Sequence, residues 1–354
     1  MTNIRRALQR WKEVIIIIIF IRCFLFITTL TIHPQIDQLF NSWVQWDGLH
    51  YIDIARNWYQ ATGEKSLWIV FYPLYPILIR LINFLINDFS TSAVVVSLIF
   101  SFISSILLFE ITLLDFSKRA AILTVWFLNI FPTAYFLQAS YTESLYLSVS
   151  LATIYLFRKK YFILAGLTGA LSTMCRINGL LLLPTLLFEG RKKREEIITL
   201  LLIPLGFLFY LLINYLTFND PFYFLKPLSS NWHKEFSLPW IGISNLLSSM
   251  PKFNDPLFYA YLAEVTVLLL IASLGIYVFF KIRKSYGIYM FLNFLLFTST
   301  SFVISTPRYS LILFPIFIIL GQIKSKYLLL LISIIFFLPL VFFTILYTLG
   351  RWAF

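Results

Sequence analysis

The sequence predicts an all-α polytopic membrane protein, a bundle of about 11 transmembrane helices, each supplying the roughly 20 residues that cross a bilayer core. Three observations predict it. Hydrophobic residues make up 60% of the 354 and charged residues only 12%, about half the charged share of a soluble domain. Apolar runs long enough to span a bilayer recur along the whole chain, and between them the basic residues fall in short clusters, the pattern that sets orientation in a membrane. The formal net charge of +12 would suggest nucleic acid in a soluble protein. Here topology accounts for it, and no nucleic-acid partner is expected.

Taken in order, the first apolar run covers 14–32. It lacks a small-residue cleavage site and many spans follow, so it reads as a span and not as a signal peptide. Further apolar segments are expected at 71–87, 91–114, 119–139, 142–158, 161–175, 177–189, 195–217, 260–281, 287–304, 309–322 and 326–348. Two long gaps interrupt them, 33–70 and 218–259. The basic clusters are Arg5/Arg6/Arg10/Lys12, Lys118/Arg119, Arg158/Lys159/Lys160, Arg191 to Arg194, Lys281/Arg283/Lys284 and Lys324/Lys326. The positive-inside rule assigns all of them to the cytoplasm, which puts both gaps and the C-terminus outside and the N-terminus inside. One membrane domain, 1–354, then accounts for the chain.

Each crossing flips the side, which tests the assignment. Residue 70 is outside and Lys118 inside, so 71–114 crosses an odd number of times although it holds two apolar segments. The segment with Pro73-Leu74-Tyr75-Pro76 is therefore expected to lie along the interface or re-enter. The stretch 161–189 has basic residues at both ends and is too long for one span. It reads as a tight hairpin whose break, Arg176-Ile177-Asn178-Gly179, lies near the outer face. Asn219-Asp220-Pro221 and Asn254-Asp255-Pro256 are helix-start signals. Cys23 and Cys175 have no metal-ligand spacing and read as packing residues. Arg22, midway along the first span, is expected to pair within the bundle, with Glu110 as the candidate partner.

Chemistry is expected on the outer side. In a helix beginning near Trp46-Asp47-Gly48, the spacing puts Asp47, His50, Tyr51 and Ile54 on one face. Trp43, Trp46, Trp58, Tyr59 and Trp68 flank it, the residues that favour a membrane interface. A carboxylate there can act as a general base; an ordinary helix cap is the plain alternative. Glu143, in Tyr141-Thr142-Glu143-Ser144, is an acid among apolar residues at membrane depth and so a functional candidate. Arg176 and Arg308 occupy short outer turns, where a guanidinium fork suits a phosphate or anchors to head groups. No Gly-rich phosphate loop, metal-spaced Cys/His set or soluble α/β domain is present to dock a nucleotide-sugar, so a sugar donor has to arrive through the membrane.

Several blocks in order carry a resemblance. They are Trp46-Asp47-Gly48 with His50-Tyr51 and Ile54-Ala55; Phe71-Tyr72-Pro73-Leu74-Tyr75-Pro76; Phe131-Pro132 leading to Tyr141-Thr142-Glu143-Ser144-Leu145; Ala165-Gly166 leading to Arg176-Ile177-Asn178-Gly179; Asn219-Asp220-Pro221 followed by Trp232; and Arg308-Tyr309 with Phe314-Pro315. Together they resemble the GT-C class of membrane glycosyltransferases, in particular the GPI mannosyltransferase 2 family (PIG-V-like) and its bacterial relatives. The chain departs from the family pattern at Ile177, where Pro is usual, and at Asn219, where Gly is usual. The resemblance implies a GT-C-type bundle whose first outer loop carries short interfacial helices.

It also implies a polyprenyl- or dolichyl-phosphate sugar as donor, a glycolipid or glycan acceptor and inverting transfer of a hexose, mannose by the family. The roles it suggests are Asp47 as general base, Glu143 orienting the acceptor or a divalent cation, and Arg176 and Arg308 on the phosphate. His50 would hold Asp47 or the sugar, Tyr51 would join it in binding substrate, Trp46 would stack on a sugar and Trp232 would serve the acceptor side. No resident metal is expected, and a divalent cation enters only through that second task for Glu143. A bacterial plasma membrane is the expected location. The rival reading is a transporter or flippase for a lipid-linked sugar, which should show paired broken helices in two related halves; one break and no half-repeat argue against it.

Overall fold

The computed structural model describes residues 3–35, 38–190, 193–255 and 257–353, with side chains from residue 9 onward. Arg191, Lys192 and Pro256 and the side chains of Arg5 and Arg6 lie outside the described residues. In chain order the helices are α1 (Asn3–Ile32), α2 (Asp47–Asn57), α3 (Leu74–Ile86), α4 (Phe89–Leu113), α5 (Lys118–Ile130), α6 (Glu143–Arg158), α7 (Phe162–Cys175), α8 (Leu182–Glu189), α9 (Arg194–Leu200), α10 (Leu205–Phe218), α11 (Leu225–Ser230), α12 (Pro239–Ser248), α13 (Leu257–Lys281), α14 (Lys284–Thr298), α15 (Thr306–Tyr309), α16 (Pro315–Gly321) and α17 (Lys326–Thr348). Among the described residues the only β pairing is an isolated bridge between Phe236 and Thr300. A helix satisfies its backbone polar groups within its own segment, as hydrocarbon surroundings demand.

Among the described residues five stretches are long and apolar enough to cross a membrane: Gln9–Ile32, Phe89–Leu113, Arg194–Phe218, Leu257–Lys281 and Lys326–Thr348. The segment singled out by parity is different. The 3-10 helix Glu64–Val70 and α3 are bent by 109° where Pro73 interrupts them, forming a broken span or a re-entrant loop. Shorter apolar helices, Phe162–Cys175 and Ile177–Glu189, lie on either side of the break at Arg176. The chain is therefore an all-helical, multi-pass membrane protein.

The fold resolves into two compact units. The first comprises Met1–Ala55, Tyr75–Tyr155 and Ile316–Ala353; the second comprises Arg56–Leu74 and Leu156–Pro315. In the first, Val14 and Ile18 of α1 pack with Phe109, Ala121 and Val125 of α4 and α5. Its charged ends meet: Lys118 pairs with Glu13 at 2.8 Å and Arg119 donates to the Ile323 carbonyl at 3.1 Å. In the second unit Glu189 accepts from Arg283 at 2.7 Å and from Ser285 at 2.6 Å, and Arg158 lies 3.6 Å from the same carboxylate. Basic clusters assigned to one side by charge thus gather at one end within each unit. In the second unit α10 approaches α7 through Gly206, where a Cβ would fall 1.8 Å from the Ala170 carbonyl oxygen. Small residues at such crossings let membrane helices touch backbone to backbone.

The expected Arg22–Glu110 pair does not form. Glu110 accepts from Arg10, and from Trp11 Nε1 at 2.8 Å. Arg22 instead donates to Asn129 Oδ1 at 2.7 Å and to the Ala134 carbonyl at 3.0 Å. The reason is helix rise: Arg22 lies 12 residues beyond Arg10 in α1, about 18 Å along the axis at roughly 1.5 Å per residue.

Candidate active site

The first set of candidates lies in the first unit. The segment entering α2 is tied down before the helix begins: the Trp43 carbonyl accepts from Ser140 N at 3.1 Å and from Tyr347 Oη at 3.2 Å. Trp43 itself is fully buried. Trp46 then adopts φ +52°, a left-handed conformation that costs a bulky residue about 1–3 kcal/mol. The turn closes through hydrogen bonds from Gly48 N to Gln45 O at 2.9 Å and from Leu49 N to Trp46 O at 3.0 Å. Asp47 therefore opens α2, half-buried, with Trp46 beside it and 49% exposed. A carboxylate in a first turn is also favoured by the helix dipole.

Gly48 shows why the block needs glycine. A Cβ there would lie 3.0 Å from the Ser140 carbonyl oxygen and 3.2 Å from Ser140 Cβ, so the first turn of α2 rests directly on the segment that leads into α6. Glu143 opens α6 and is fully buried, with Gln138, Ser140, Thr142 and Ser144 equally buried around it. Trp46, Asp47, His50, Tyr51 and Glu143 thus come from two segments in contact. His50 lies one turn into α2, half-buried. Tyr51 is turned inward: its ring packs edge-on to Tyr75 at 5.2 Å, and Tyr75 Oη bonds the Ala93 carbonyl at 2.9 Å and Ser97 Oγ at 2.7 Å. Arg80 Nε donates to the Ala55 carbonyl at 2.6 Å and holds the far end of α2.

The second set lies in the second unit. After α7 the chain turns at Arg176, extended at φ −156°, into a 3-10 helix over Ile177–Leu181. This is the break expected at Arg176-Ile177-Asn178-Gly179. Asn178 anchors it by donating to Asn293 Oδ1 at 2.8 Å, and a Cβ on Gly179 would sit 2.4 Å from Thr173 N. Arg308 belongs to α15, whose start is clamped by a residue the sequence reading missed. Glu264, buried within α13, accepts from Ser305 N and Thr306 N at 2.7 Å each, and from the Thr306 hydroxyl. Ser305 is left-handed, φ +66°. The rule that singled out Glu143, an acid isolated in an apolar run, applies equally to Glu264 and could have found it.

Arg176 and Arg308 meet at one aromatic ring. Their Cζ atoms lie 6.0 Å and 5.5 Å from the centroid of Tyr309, whose ring also packs against Phe297 at 5.2 Å. Lys234 completes the group: its Nζ donates to Tyr309 Oη at 2.9 Å. Sequence spacing gave no sign of Lys234, which lies between His233 and Glu235 in the second long gap. Trp232 is half-buried, edge-on to Phe71 at 5.7 Å. Asp220 takes no part in this group. Phe222 N donates to it at 3.0 Å, and that bond, with the nearby Lys226 ammonium, holds its carboxyl below the usual value. It holds a turn; the helix start expected at this site falls later, where α11 begins at Leu225.

Superposition on known structures decides the fold. The chain matches the oligosaccharyltransferase of Archaeoglobus fulgidus in its apo form with a TM-score of 0.51 at 14% identity, over 98% of this chain and 56% of that one. The same enzyme in complex with zinc and sulfate matches with a TM-score of 0.51 at 14% identity, over 93% and 52%. The chain has the GT-C fold. In sequence, 146 residues are 31% identical to GPI mannosyltransferase 2 of Schizosaccharomyces pombe, 40% of this chain and 31% of that protein. This GT-C chain thus spans little more than half the length of the solved structures, and its sequence match covers about a third of the yeast protein. No family model matches it. Among the described residues no three His, Cys, Asp or Glu side chains gather as a metal ion requires.

Proposed function

We propose that the chain is a glycosyltransferase that moves a hexose, mannose by its likeness to GPI mannosyltransferase 2, from a polyprenyl- or dolichyl-phosphate sugar to a glycolipid or glycan acceptor. Asp47 takes the proton from an acceptor hydroxyl while that oxygen attacks the anomeric carbon. The bond from the anomeric carbon to the phosphate oxygen breaks, its electrons leave with the lipid phosphate, and the configuration inverts. Arg176 and Arg308 stabilise the charge that grows on the phosphate, the kind of electrostatic help that dominates many enzymatic rate gains. Glu143 orients the acceptor, His50 and Tyr51 support the face of α2 that carries Asp47, Trp46 stacks on a sugar and Trp232 serves the acceptor side. The reaction takes place on the outer or luminal face. A divalent cation, as in the zinc complex of the oligosaccharyltransferase, has no three-ligand cluster to receive it among the described residues, and no step runs through one.

The observation that carries this reading is the turn at Trp46-Asp47. A tryptophan held left-handed directly before a half-buried acid, at a helix start tied down by Ser140 and Tyr347, is local strain of the kind that clusters at functional sites. The test is Asp47→Asn in purified protein supplied with polyprenyl-phosphate mannose. Transfer at near-parental rate would remove the base assignment. Orientation is tested separately: a cysteine placed at Lys65 should be labelled from outside in intact cells by an impermeant maleimide, and protection there would reverse the sidedness.

A further inference from the structure

The cluster around Tyr309 holds more positive charge than two arginines. Lys234 is not carried there by a loose side chain. The Ser301 hydroxyl donates to the His233 carbonyl at 3.0 Å, Ser301 N donates to the Glu235 carbonyl at 2.9 Å, and Phe236 forms the bridge with Thr300. The backbone is thus stitched on both sides of Lys234 to the strip that leads into α15, and Lys234 N itself donates to the Leu228 carbonyl at 3.0 Å. The Nζ lies 5.1 Å from the Tyr309 centroid, on the ring the two guanidiniums also approach. Among the described residues Lys234 makes no ion pair with a carboxylate. Of the acids around it, Glu264 is occupied by the backbone of Ser305 and Thr306 and Glu235 accepts from Ser229 Oγ at 2.6 Å. Three cations converging on one ring present several charge-assisted donors to one place, the arrangement that suits a phosphate.

We infer that Lys234 is the third cation of a phosphate-binding site with Arg176 and Arg308, and that it serves the phosphate after it has left the sugar. This rests on the transfer reading above. A lipid-phosphate sugar is a phosphodiester with a single negative charge. When the bond to the anomeric carbon breaks, both electrons stay with the phosphate oxygen, and the lipid monophosphate carries about one charge more. Two arginines match the diester; the third cation matches the product and the transition state that resembles it. A lysine is suited to this task as a compact point charge with three donors on a flexible stem, able to exchange Tyr309 Oη for a phosphate oxygen.

The experiment measures binding, so it does not depend on turnover. Detergent-purified full-length chain is titrated with farnesyl phosphate, with farnesol as the uncharged control and inorganic phosphate as the head group alone. Lys234→Gln should weaken farnesyl phosphate about tenfold, the order of one charge-assisted hydrogen bond, and leave farnesol unchanged. Lys234→Arg should restore most of the affinity, and Tyr309→Phe should keep most of it. Unchanged affinity in Lys234→Gln overturns the inference. So does an equal loss in Tyr309→Phe, which would make Lys234 a support for the tyrosine. Inorganic phosphate binding as tightly as farnesyl phosphate would overturn the lipid source. Should the chain transfer sugar with farnesyl phosphate affinity blind to Lys234, only the third cation fails. If binding depends on Lys234 but no sugar moves, the transferase reading fails and the phosphate site remains. Where transfer is measurable, Lys234→Gln should lower kcat more than it raises KM, since the third charge acts late.

Discussion

The Asp47 turn and the Tyr309 cluster are built on opposite principles. Around Asp47 the backbone does the positioning: a left-handed Trp46, a Gly48 where a methyl group would press on Ser140, and a Trp43 carbonyl bonded from two directions. Around Tyr309 long side chains do it, three cations converging on one ring, with the turn beneath Arg308 held by a buried carboxylate. Under the proposed function the difference has a use: a base that must meet one hydroxyl needs a fixed place, which short rigid segments supply, and a charge that grows over phosphate oxygens is met by several donors that can follow it. The first region should therefore respond sharply to small steric changes, and the second to changes of charge and donor number.

The largest expected effect breaks the first region chemically and leaves it intact structurally. Asp47→Asn keeps size and helix start, so transfer should fall about 10²- to 10⁴-fold while thermal unfolding in detergent shifts by no more than about 1 kcal/mol. A parallel loss of folded protein would return Asp47 to the role of a cap. Next comes the second region: Arg308→Lys keeps the charge and removes the fork, and kcat/KM should drop roughly 10- to 100-fold with little change in melting. Equal losses of activity and of folded protein would make that arginine structural.

Glu264→Gln sharpens the contrast further, because it acts on Arg308 through the turn alone. Its amide group would face one of the two backbone N–H donors that now share a carboxylate, which should cost about 1–3 kcal/mol of stability, read by thermal melting, together with a raised KM for the donor. The smallest effect is expected from Gly48→Ala. The added methyl meets the Ser140 carbonyl oxygen at 3.0 Å, a clash that a small shift of α2 can absorb for about 1–2 kcal/mol. If the first region is rigid as described, that shift should still lower transfer several-fold at full folding. An active, merely less stable Gly48→Ala would show that Asp47 tolerates displacement.

Much of this was legible in the chain, and for identifiable reasons. Composition and run length marked a multi-pass membrane protein because hydrocarbon accepts few charges. The break at Arg176-Ile177-Asn178-Gly179 was legible because basic residues at both ends of 161–189 demand a return. The bend before α3 was legible because a parity count left one segment over, and Pro73 sits where it falls. Glu143, Arg176 and Arg308 stood out as polar groups in places where polarity is expensive, and Trp46 and Asp47 through the resemblance of their block; their roles belong to the proposal above.

Other features were hidden. Arg22 was assigned to Glu110 because both are charged and both are intramembrane, but the register of α1 against α4 put Arg10 and Trp11 there instead. Glu264 was overlooked although it obeys the same rule as Glu143, and its partners, two backbone N–H groups 41 and 42 residues away, leave no mark in local sequence. Tyr51 stood on the same helical face as Asp47 by spacing, yet Tyr75 draws its ring inward.

By itself, then, the sequence determined the kind of solvent this protein lives in, where its chain must turn, and which residues are too costly to be idle, since each of these follows from the local price of polarity in an apolar medium. Tertiary structure alone decided the partners: that Arg176 and Arg308 share a ring with Lys234, that Glu264 stands under Arg308, and that Ser140 rather than a side chain of α2 limits Gly48. Those are meetings between residues tens to hundreds of positions apart. Their geometry depends on the register and crossing of packed helices, which no one-dimensional pattern encodes.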